Sequence, residues 1–228
     1  MTDIIGGLWH LHWLAARGSL QAHQHAFVRE CQRAFDVLSG QMSPPPLDIL
    51  FHRSTTQVIA QLGLCGRAWE PALFSLYVDP DNPNLAVSLD NGAFTRQLLH
   101  EIHHCMRMAG PGYGYTLGEA LVSEGLAGQF VSYLLGTPPE LWEAALPVAS
   151  LGRWLPDQTQ LEATGYNHAE WFFGTGRYPL WLGYTLGYEL AGQWLGRTER
   201  PPMEARINAP AKDVLRDAGF PSCGQSVI

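Results

Sequence analysis

The sequence predicts an α+β protein with a small mixed sheet and one histidine-rich helix in its N-terminal part, followed by a mainly helical C-terminal part. Two observations lead to this fold class. Short apolar stretches bounded by Pro, Gly and Asp lie within the first 90 residues and are typical of strands. From about residue 92 onward, apolar residues recur at helical spacing.

The length and composition favour one compact domain. The chain has 228 residues, of which 46% are hydrophobic and 11% aromatic, so it can bury a substantial core. No internal repeat or low-complexity segment interrupts it. We expect a single domain over residues 1–228, with two sub-lobes that meet near residues 110–115.

Charge and cysteine content limit the classes of partner. The net charge of −7 and only 14 Lys and Arg residues argue against nucleic-acid binding. The start lacks the basic segment of a secretory signal, and no apolar stretch is long enough for a membrane span. The four cysteines are scattered and form no CxxC pair, so we expect reduced thiols in a cytoplasmic protein (Cys31, Cys65, Cys105 and Cys223).

The first ninety residues are predicted to form helix and then sheet. Apolar residues from about Leu8 to Leu38 recur at helical spacing with a break near Gly18, which predicts one long or two shorter helices. The segments LDILFHRS, PALFSLYVD and, after the turn DPDNPN, LAVSLD are predicted strands.

Helices are predicted from there to the C-terminus. One spans about Gly92 to Ala109 and ends at GPGYG, because Gly and Pro oppose its continuation. The capping-box pattern of Thr116 and Glu119 starts another, which runs to about Leu135. PLWLGYTLGYELAGQWLG is predicted as a buried helix. Shorter helices are predicted in GTPPELWEAAL, LPDQTQLEA and PMEARINAPAKDVLRDAG.

The helix over Gly92 to Ala109 carries HEIHH, which contains the HExxH pattern. His100 and His104 are four residues apart, so both imidazoles lie on one helix face and can reach one ion. Glu101 points about a quarter turn away, where it can contact a water molecule on the metal. The spacing therefore predicts two zinc ligands and one general base.

The position of a third ligand follows from helix geometry. If two helices fold back on each other through GPGYGY, the histidine pair lies about 10 Å before the turn. Glu124 lies about 12 Å beyond the start of the next helix, whereas Glu119 lies only about 4–5 Å beyond it. Glu119 also has a role in the capping box. Glu124 is therefore the predicted third ligand, with Glu119 as the alternative.

Other histidines are weaker candidates. His103 could compete as a ligand but is better explained as a polar neighbour of the site. The metzincin pattern is excluded, because it requires Gly and His at the positions that Arg107 and Gly110 occupy here. The motifs HLH and HQH would point to different sides of a helix, so no metal site is expected there (His10, His12, His23 and His25).

These motifs carry a family resemblance. HEIHH, followed after nineteen residues by EGLA, resembles the gluzincin metallopeptidases. LLHEIHHCMR, LGEALVSEGLA and YPLWLGYTLGYELAGQWL are similar to a bacterial family of predicted zinc-dependent proteases known as a domain of unknown function, over residues 84–196. The resemblance implies a zincin-like fold, one zinc ion on His100, His104 and Glu124, and Glu101 as general base.

The expected activity is zinc-dependent hydrolysis of a peptide bond. Three protein ligands leave a fourth zinc position for a water molecule, which Glu101 would deprotonate. Tyr184 is the predicted donor to the developing oxyanion, with Tyr188 and His168 as other candidates. LAVSLD could form the sheet edge along which a peptide pairs, as the resemblance to zincins implies.

Two rival functions remain at this point. One is a zinc hydrolase that acts on a non-peptide amide. The other is an inactive, zinc-stabilised binding protein, against which Glu101 argues because a structural site needs no base. Substrate sequence, oligomeric state and the choice between endopeptidase and exopeptidase action do not follow from the sequence.

Overall fold

The computed structural model describes residues 3–197 and 201–218, and it confirms the α+β fold class. The backbone divides into two compact units at the junction of Ala109 and Gly110. The first unit holds the sheet and the histidine-rich helix, and the second is helical. Among the described residues, no helix has both the length and the hydropathy needed to cross a membrane.

The first unit is built on a mixed five-stranded sheet. Its strands are β1 (Asp3–Ile5), β2 (Trp9–Leu14), β3 (Leu47–Arg53), β4 (Leu64–Glu70) and β5 (Leu73–Val78). They are arranged in the order β1-β2-β3-β5-β4. Strands β2, β3 and β5 are parallel, whereas β1 and β4 are antiparallel to their neighbours. The mixed sheet and its strands over LDILFHRS and PALFSLYVD are confirmed.

The helix expected near Leu8 is wrong, because Trp9–Leu14 forms β2 instead. In WHLHWL, Trp9 and Leu11 are fully buried while His10 and His12 are half-buried, which is the two-residue alternation of a strand. Six residues are too few to separate the two periods, and pairing with β3 decides the outcome. The second half of the prediction is correct, since α1 spans Gln21–Ser39.

LAVSLD is also misassigned, because it lies in helix α2 (Asn84–Asp90). The Asn82 side chain accepts a hydrogen bond from the backbone of Asn84 at 2.9 Å and so helps to start the helix. Leu85 and Leu89 are buried at a spacing of four residues, whereas Val87 is exposed. Strands β1 and β4 were not predicted from the sequence. Strand β4 contains Gly66 and the exposed Arg67 and therefore lacks a clear apolar pattern.

Helix α3 (Ala93–Met108) carries the histidine cluster, as predicted. It starts after Gly92, whose φ of 79° suits glycine, and the Asn91 side chain accepts a hydrogen bond from the Ala93 backbone at 2.9 Å. The ring of Phe94 stacks on Phe27 of α1 at 5.0 Å, and Phe27 stacks on Phe51 of β3 at 5.6 Å. These contacts fix α3 to the core of the first unit.

Two long helices dominate the second unit. Helix α4 (Leu117–Leu135) starts with the predicted capping box of Thr116 and Glu119. Helix α8 (Leu182–Arg197) is the predicted buried helix. They approach so closely that a Cβ atom on Gly125 would lie 1.9 Å from the carbonyl oxygen of Gly187. Only glycine permits this approach.

Short helices complete the second unit. They are α5 (Val148–Leu151), a 3₁₀ helix (Gly152–Trp154), α6 (Gln158–Glu162), α7 (His168–Phe173), α9 (Met203–Ile207) and α10 (Ala211–Asp217). The helix predicted in GTPPELWEAAL is wrong, since this segment forms turns after its two prolines. Cys31, Cys65 and Cys105 form no disulfide bond among the described residues, and Cys223 lies outside those residues.

Candidate metal centre

Helix α3 directs two imidazoles towards each other. His100 and His104 are both buried, and their Nε2 atoms lie 3.0 Å apart. The two rings meet edge to face with centroids at 4.7 Å. The spacing of four residues on a helix produces this convergence. Two nitrogen ligands therefore face one point.

Glu101 follows on the same helix and is also buried. Its side chain extends towards β4, where Gly66 has no side chain: a Cβ atom there would lie 2.5 Å from Oε1 of Glu101. Cys105 lies one turn further along α3. Burial, and then the charge of Glu101, raise the pKa of the Cys105 thiol to about 12, so this thiol is neutral.

Glu124 is presented by α4 and oriented by a tyrosine that the sequence reading missed. The Tyr113 hydroxyl donates a hydrogen bond of 2.6 Å to Oε1 of Glu124. The Tyr113 carbonyl in turn accepts one of 2.7 Å from the Ser123 hydroxyl. Burial, and then the nearby Glu124 carboxylate, raise the pKa of Tyr113 well above its ordinary value. Tyr113 is therefore a neutral donor to the carboxylate.

The structure brings His100, His104 and Glu124 together. One ligand atom of each residue lies within 4.8 Å of the other two, and all three residues are buried. Two imidazole nitrogens and one carboxylate oxygen are a donor set that suits zinc. The group could hold one metal ion.

Comparison with known proteins agrees with this donor set. The model of the family described as "Predicted Zn-dependent protease (DUF2268)" matches residues 27–216. The chain belongs to this family. The match extends beyond residues 84–196, on which the resemblance was based, and takes in most of α1 and the strands β3, β4 and β5. No curated protein and no solved structure matches the chain.

The description of this family as predicted Zn-dependent proteases implies zinc, and the donors present here fit that ion. Glu119, the alternative ligand, is not part of the group. Its Oε2 atom accepts hydrogen bonds from the backbone nitrogens of Tyr115 at 2.8 Å and Thr116 at 3.0 Å. This carboxylate caps α4, as predicted. His103 is buried on α3 and is likewise outside the group.

The predicted oxyanion donor, Tyr184, is half-buried on α8. Its ring packs edge-on against Phe172 at 5.0 Å. Tyr184 contributes to the raised pKa of Tyr113, so the two phenols are electrostatic neighbours. Tyr188 instead donates a hydrogen bond to the Ser132 hydroxyl at 3.1 Å.

Tyr166 is a second residue that the sequence did not single out. Burial raises its pKa to about 12, with smaller contributions from Glu124 and Glu119. Its hydroxyl lies 3.3 Å from Nδ1 of His168, whose ring stacks on Phe172 at 4.3 Å. Tyr113, Tyr166 and Tyr184 all pack against one apolar cluster of the second unit. The phenols of Tyr113 and Tyr166 thus lie near the Glu124 carboxylate.

The remaining histidines have other surroundings. His12 of β2 pairs with Asp48 of β3 at 2.5 Å, while His23 and His25 lie on α1. On a strand, His10 and His12 share one face, in contrast to the helical geometry expected from the sequence.

Proposed function

We propose that this protein is a zinc metallopeptidase in which His100, His104 and Glu124 hold one zinc ion and Glu101 is the general base. The observation that carries the proposal is the approach of the three ligand atoms to within 4.8 Å of one another, with Glu101 next to His100 on the same helix. The family description supports the same chemistry. The proposal includes one zincin-like domain over residues 1–228.

A bound zinc ion supplies a Lewis acid that polarises the peptide carbonyl and favours deprotonation of water. In this proposal Glu101 accepts the proton of the attacking water and then donates it to the leaving amine. Tyr113 holds the Glu124 carboxylate through its 2.6 Å hydrogen bond. Tyr184 donates a hydrogen bond to the carbonyl oxygen as negative charge develops there.

The peptide is proposed to pair with β4 rather than with LAVSLD, which is helical. β4 is the last strand in the sheet order, and its residues Arg67, Trp69 and Glu70 are exposed. An outer strand offers unpaired backbone groups to an extended chain. Strand β4 also lies against Glu101 through Gly66. A substrate on β4 is thereby placed next to the general base. The cytoplasmic location expected from the cysteines belongs to the same proposal.

The deciding experiment compares the wild type with Glu101→Gln and His104→Ala. We expect the wild type to contain about one zinc ion per chain and to cleave members of a peptide library. Glu101→Gln should keep the metal and lose turnover, and His104→Ala should lose both. The matched control is Glu119→Gln, whose cap does not require a charge and which should keep both.

Hydrolysis that survives in Glu101→Gln would refute the role of the base. Zinc without cleavage of any peptide would favour a non-peptide substrate or an inactive binding protein. Absence of zinc from the wild type, despite folding, would refute the metal site itself.

A further inference from the structure

Gly66 occupies an unusual place for a glycine. It lies inside β4 and pairs with Leu76 of β5. Glycine in a strand interior weakens the strand and often marks a site of close approach. No turn or positive φ requires it, since Gly66 is not among the glycines with positive φ. The backbone conformation therefore does not explain the presence of a glycine at this position.

The Glu101 side chain explains why residue 66 is a glycine. A Cβ atom on Gly66 would lie 2.2 Å from Cγ, 2.5 Å from Oε1 and 2.6 Å from Cδ of Glu101. These three nearest atoms all belong to one side chain, and none belongs to the backbone. The volume that a Cβ would fill is already occupied by the proposed general base.

We propose that Gly66 is a positioning residue, whose missing side chain lets the Glu101 carboxylate lie against β4. The inference rests on the proposed function for the role of Glu101 as base. The packing of Gly66 against Glu101 is independent of that function. The two parts can therefore be tested separately.

The first test is kinetic. In Gly66→Ala the new methyl group displaces a flexible side chain rather than the backbone, so the fold is retained while the carboxylate moves. A displaced base should lower kcat about 100-fold and leave KM and zinc content unchanged. The control is Gly152→Ala, because a Cβ there meets nothing within 4 Å. Unchanged kcat in Gly66→Ala would overturn the positioning role.

The second test does not use activity. Thermal unfolding of the full-length protein as purified is measured for the wild type, Gly66→Ala, Glu101→Ala and the double variant, with the metal content of each determined. Gly66→Ala should lower Tm when Glu101 is present. It should not lower Tm in the Glu101→Ala background, where the clashing atoms have been removed. Equal Tm shifts in both backgrounds would overturn the proposal.

The two readouts separate the possible failures. A wild type that cleaves no peptide refutes the proposed function, but the Tm cycle still decides whether Gly66 and Glu101 compete for one space. If the Tm cycle shows coupling but Gly66→Ala turns over normally, Gly66 and Glu101 share one space, yet the position of the Glu101 carboxylate does not matter for catalysis. That outcome overturns the positioning role.

A second observation concerns the other face of β4. The Arg67 guanidinium lies 4.1 Å from the centre of the Trp69 ring. The Trp69 indole donates a hydrogen bond of 2.9 Å to the hydroxyl of the buried Ser75, which fixes the ring. Arg67 and Trp69 are both exposed. In the part of the chain that the structure describes, Arg67 forms no ion pair with a carboxylate, in contrast to Arg53 and Arg216.

Arg67 is therefore an oriented cation on the strand proposed to bind substrate. Side chains alternate along a strand, so Arg67 projects from the face opposite to Gly66. The pairing of β4 with β5 is irregular between Ala68 and Glu70, but Trp69 lies on the same face as Arg67, because it bonds to Ser75, the cross-strand partner of Arg67. A peptide paired with β4 presents its own side chains alternately to the two faces. We infer that the enzyme prefers peptides with an acidic residue opposite Arg67, one position from the residue opposite Gly66. This preference rests on the proposed function.

The preference is tested by binding and by cleavage. Matched extended peptides that differ only in one Glu or Lys are titrated into Glu101→Gln by calorimetry, which does not depend on turnover. The Glu peptide should bind about two- to fivefold more tightly, the range expected for a cross-strand charge pair. In the double variant Glu101→Gln with Arg67→Glu, the Lys peptide should bind more tightly than the Glu peptide. The charge-matched control, Lys212→Glu on α10, should leave the order unchanged.

A peptide library cleaved by the wild type should show the same acidic position, and Arg67→Glu should replace it with a basic one. Identical profiles for the wild type and Arg67→Glu, or identical affinities for the two peptides, would overturn the inference. Peptides that bind with the expected order but are never cleaved would support the role of Arg67 and refute the proposed function.

Discussion

The Tyr113 hydroxyl donates a hydrogen bond of 2.6 Å to Oε1 of Glu124. This bond holds the carboxylate of a residue in the group that could bind a metal ion. Tyr113 lies in the glycine-rich turn GPGYG, and its carbonyl is bonded to Ser123, the neighbour of Glu124 on α4. The turn that ends α3 thus also orients a candidate ligand.

Removal of this hydroxyl should weaken metal binding. In Tyr113→Phe the Glu124 carboxylate loses its donor, and we expect zinc affinity to fall about 10- to 100-fold. Competition with a chromophoric chelator measures the change. Tyr115→Phe is the control, because Tyr115 is 85% exposed. Equal affinities for the two variants would contradict an orienting role for Tyr113.

Substitutions of the two glutamates of α4 should have different effects, one on stability and the other on metal binding. Glu119→Ala removes the acceptor of the capping box and should reduce the free energy of unfolding by about 1 kcal/mol while zinc is retained. Glu124→Ala should abolish stoichiometric zinc binding. Chemical denaturation and metal analysis of both variants provide the measurements. Loss of zinc from Glu119→Ala with retention in Glu124→Ala would reverse the assignment of the ligand.

The contact of α4 with α8 should tolerate no side chain at Gly125. A methyl group there would lie 1.9 Å from the Gly187 carbonyl oxygen, and backbone cannot move aside as a side chain can. We expect Gly125→Ala to reduce the free energy of unfolding by about 1–3 kcal/mol or more. Gly196→Ala on α8 faces open space and should be neutral or stabilising. A stable Gly125→Ala would mean that the helices separate easily.

Alkaline pH should destabilise the metal-free protein through its partly buried phenols. The pKa of Tyr166 is raised to about 12 by burial and by the charges of Glu124 and Glu119, against about 10 in the unfolded chain. The contribution of Tyr166 to stability is therefore complete below pH 10 and is lost as the pH rises towards about 12. Thermal unfolding across this range should show a smaller loss in Tyr166→Phe than in the wild type.

Tyr113 titrates in the same direction, so Tyr166→Phe should reduce the alkaline loss without abolishing it. The control is again Tyr115→Phe, which should follow the wild-type curve. A Tyr166→Phe curve that coincides with the wild-type curve between pH 10 and 12 would show that Tyr166 ionises as freely in the folded state as in the unfolded state.

Local patterns were sufficient for the helices that carry the candidate ligands. The spacing of His100 and His104 and the capping box at Thr116 each depend on neighbours within four residues, so they can be read directly from the sequence. Glu124 could be chosen over Glu119 because helical rise converts residue number into distance. Membership of a family of predicted zinc-dependent proteases was expected from these motifs, and the family match confirms it.

Tertiary structure decided the features that depend on distant partners. WHLHWL became a strand because β3 pairs with it, and LAVSLD became a helix that buries Leu85 and Leu89. Strand β4, with Gly66 against Glu101 thirty-five residues later, has no local signature. Tyr113 reaches Glu124 from an irregular turn, where no periodicity indicates the direction of a side chain. Short-range hydrogen bonding and helical spacing are encoded in adjacent residues, whereas strand pairing and close packing between distant segments exist only once the chain has folded.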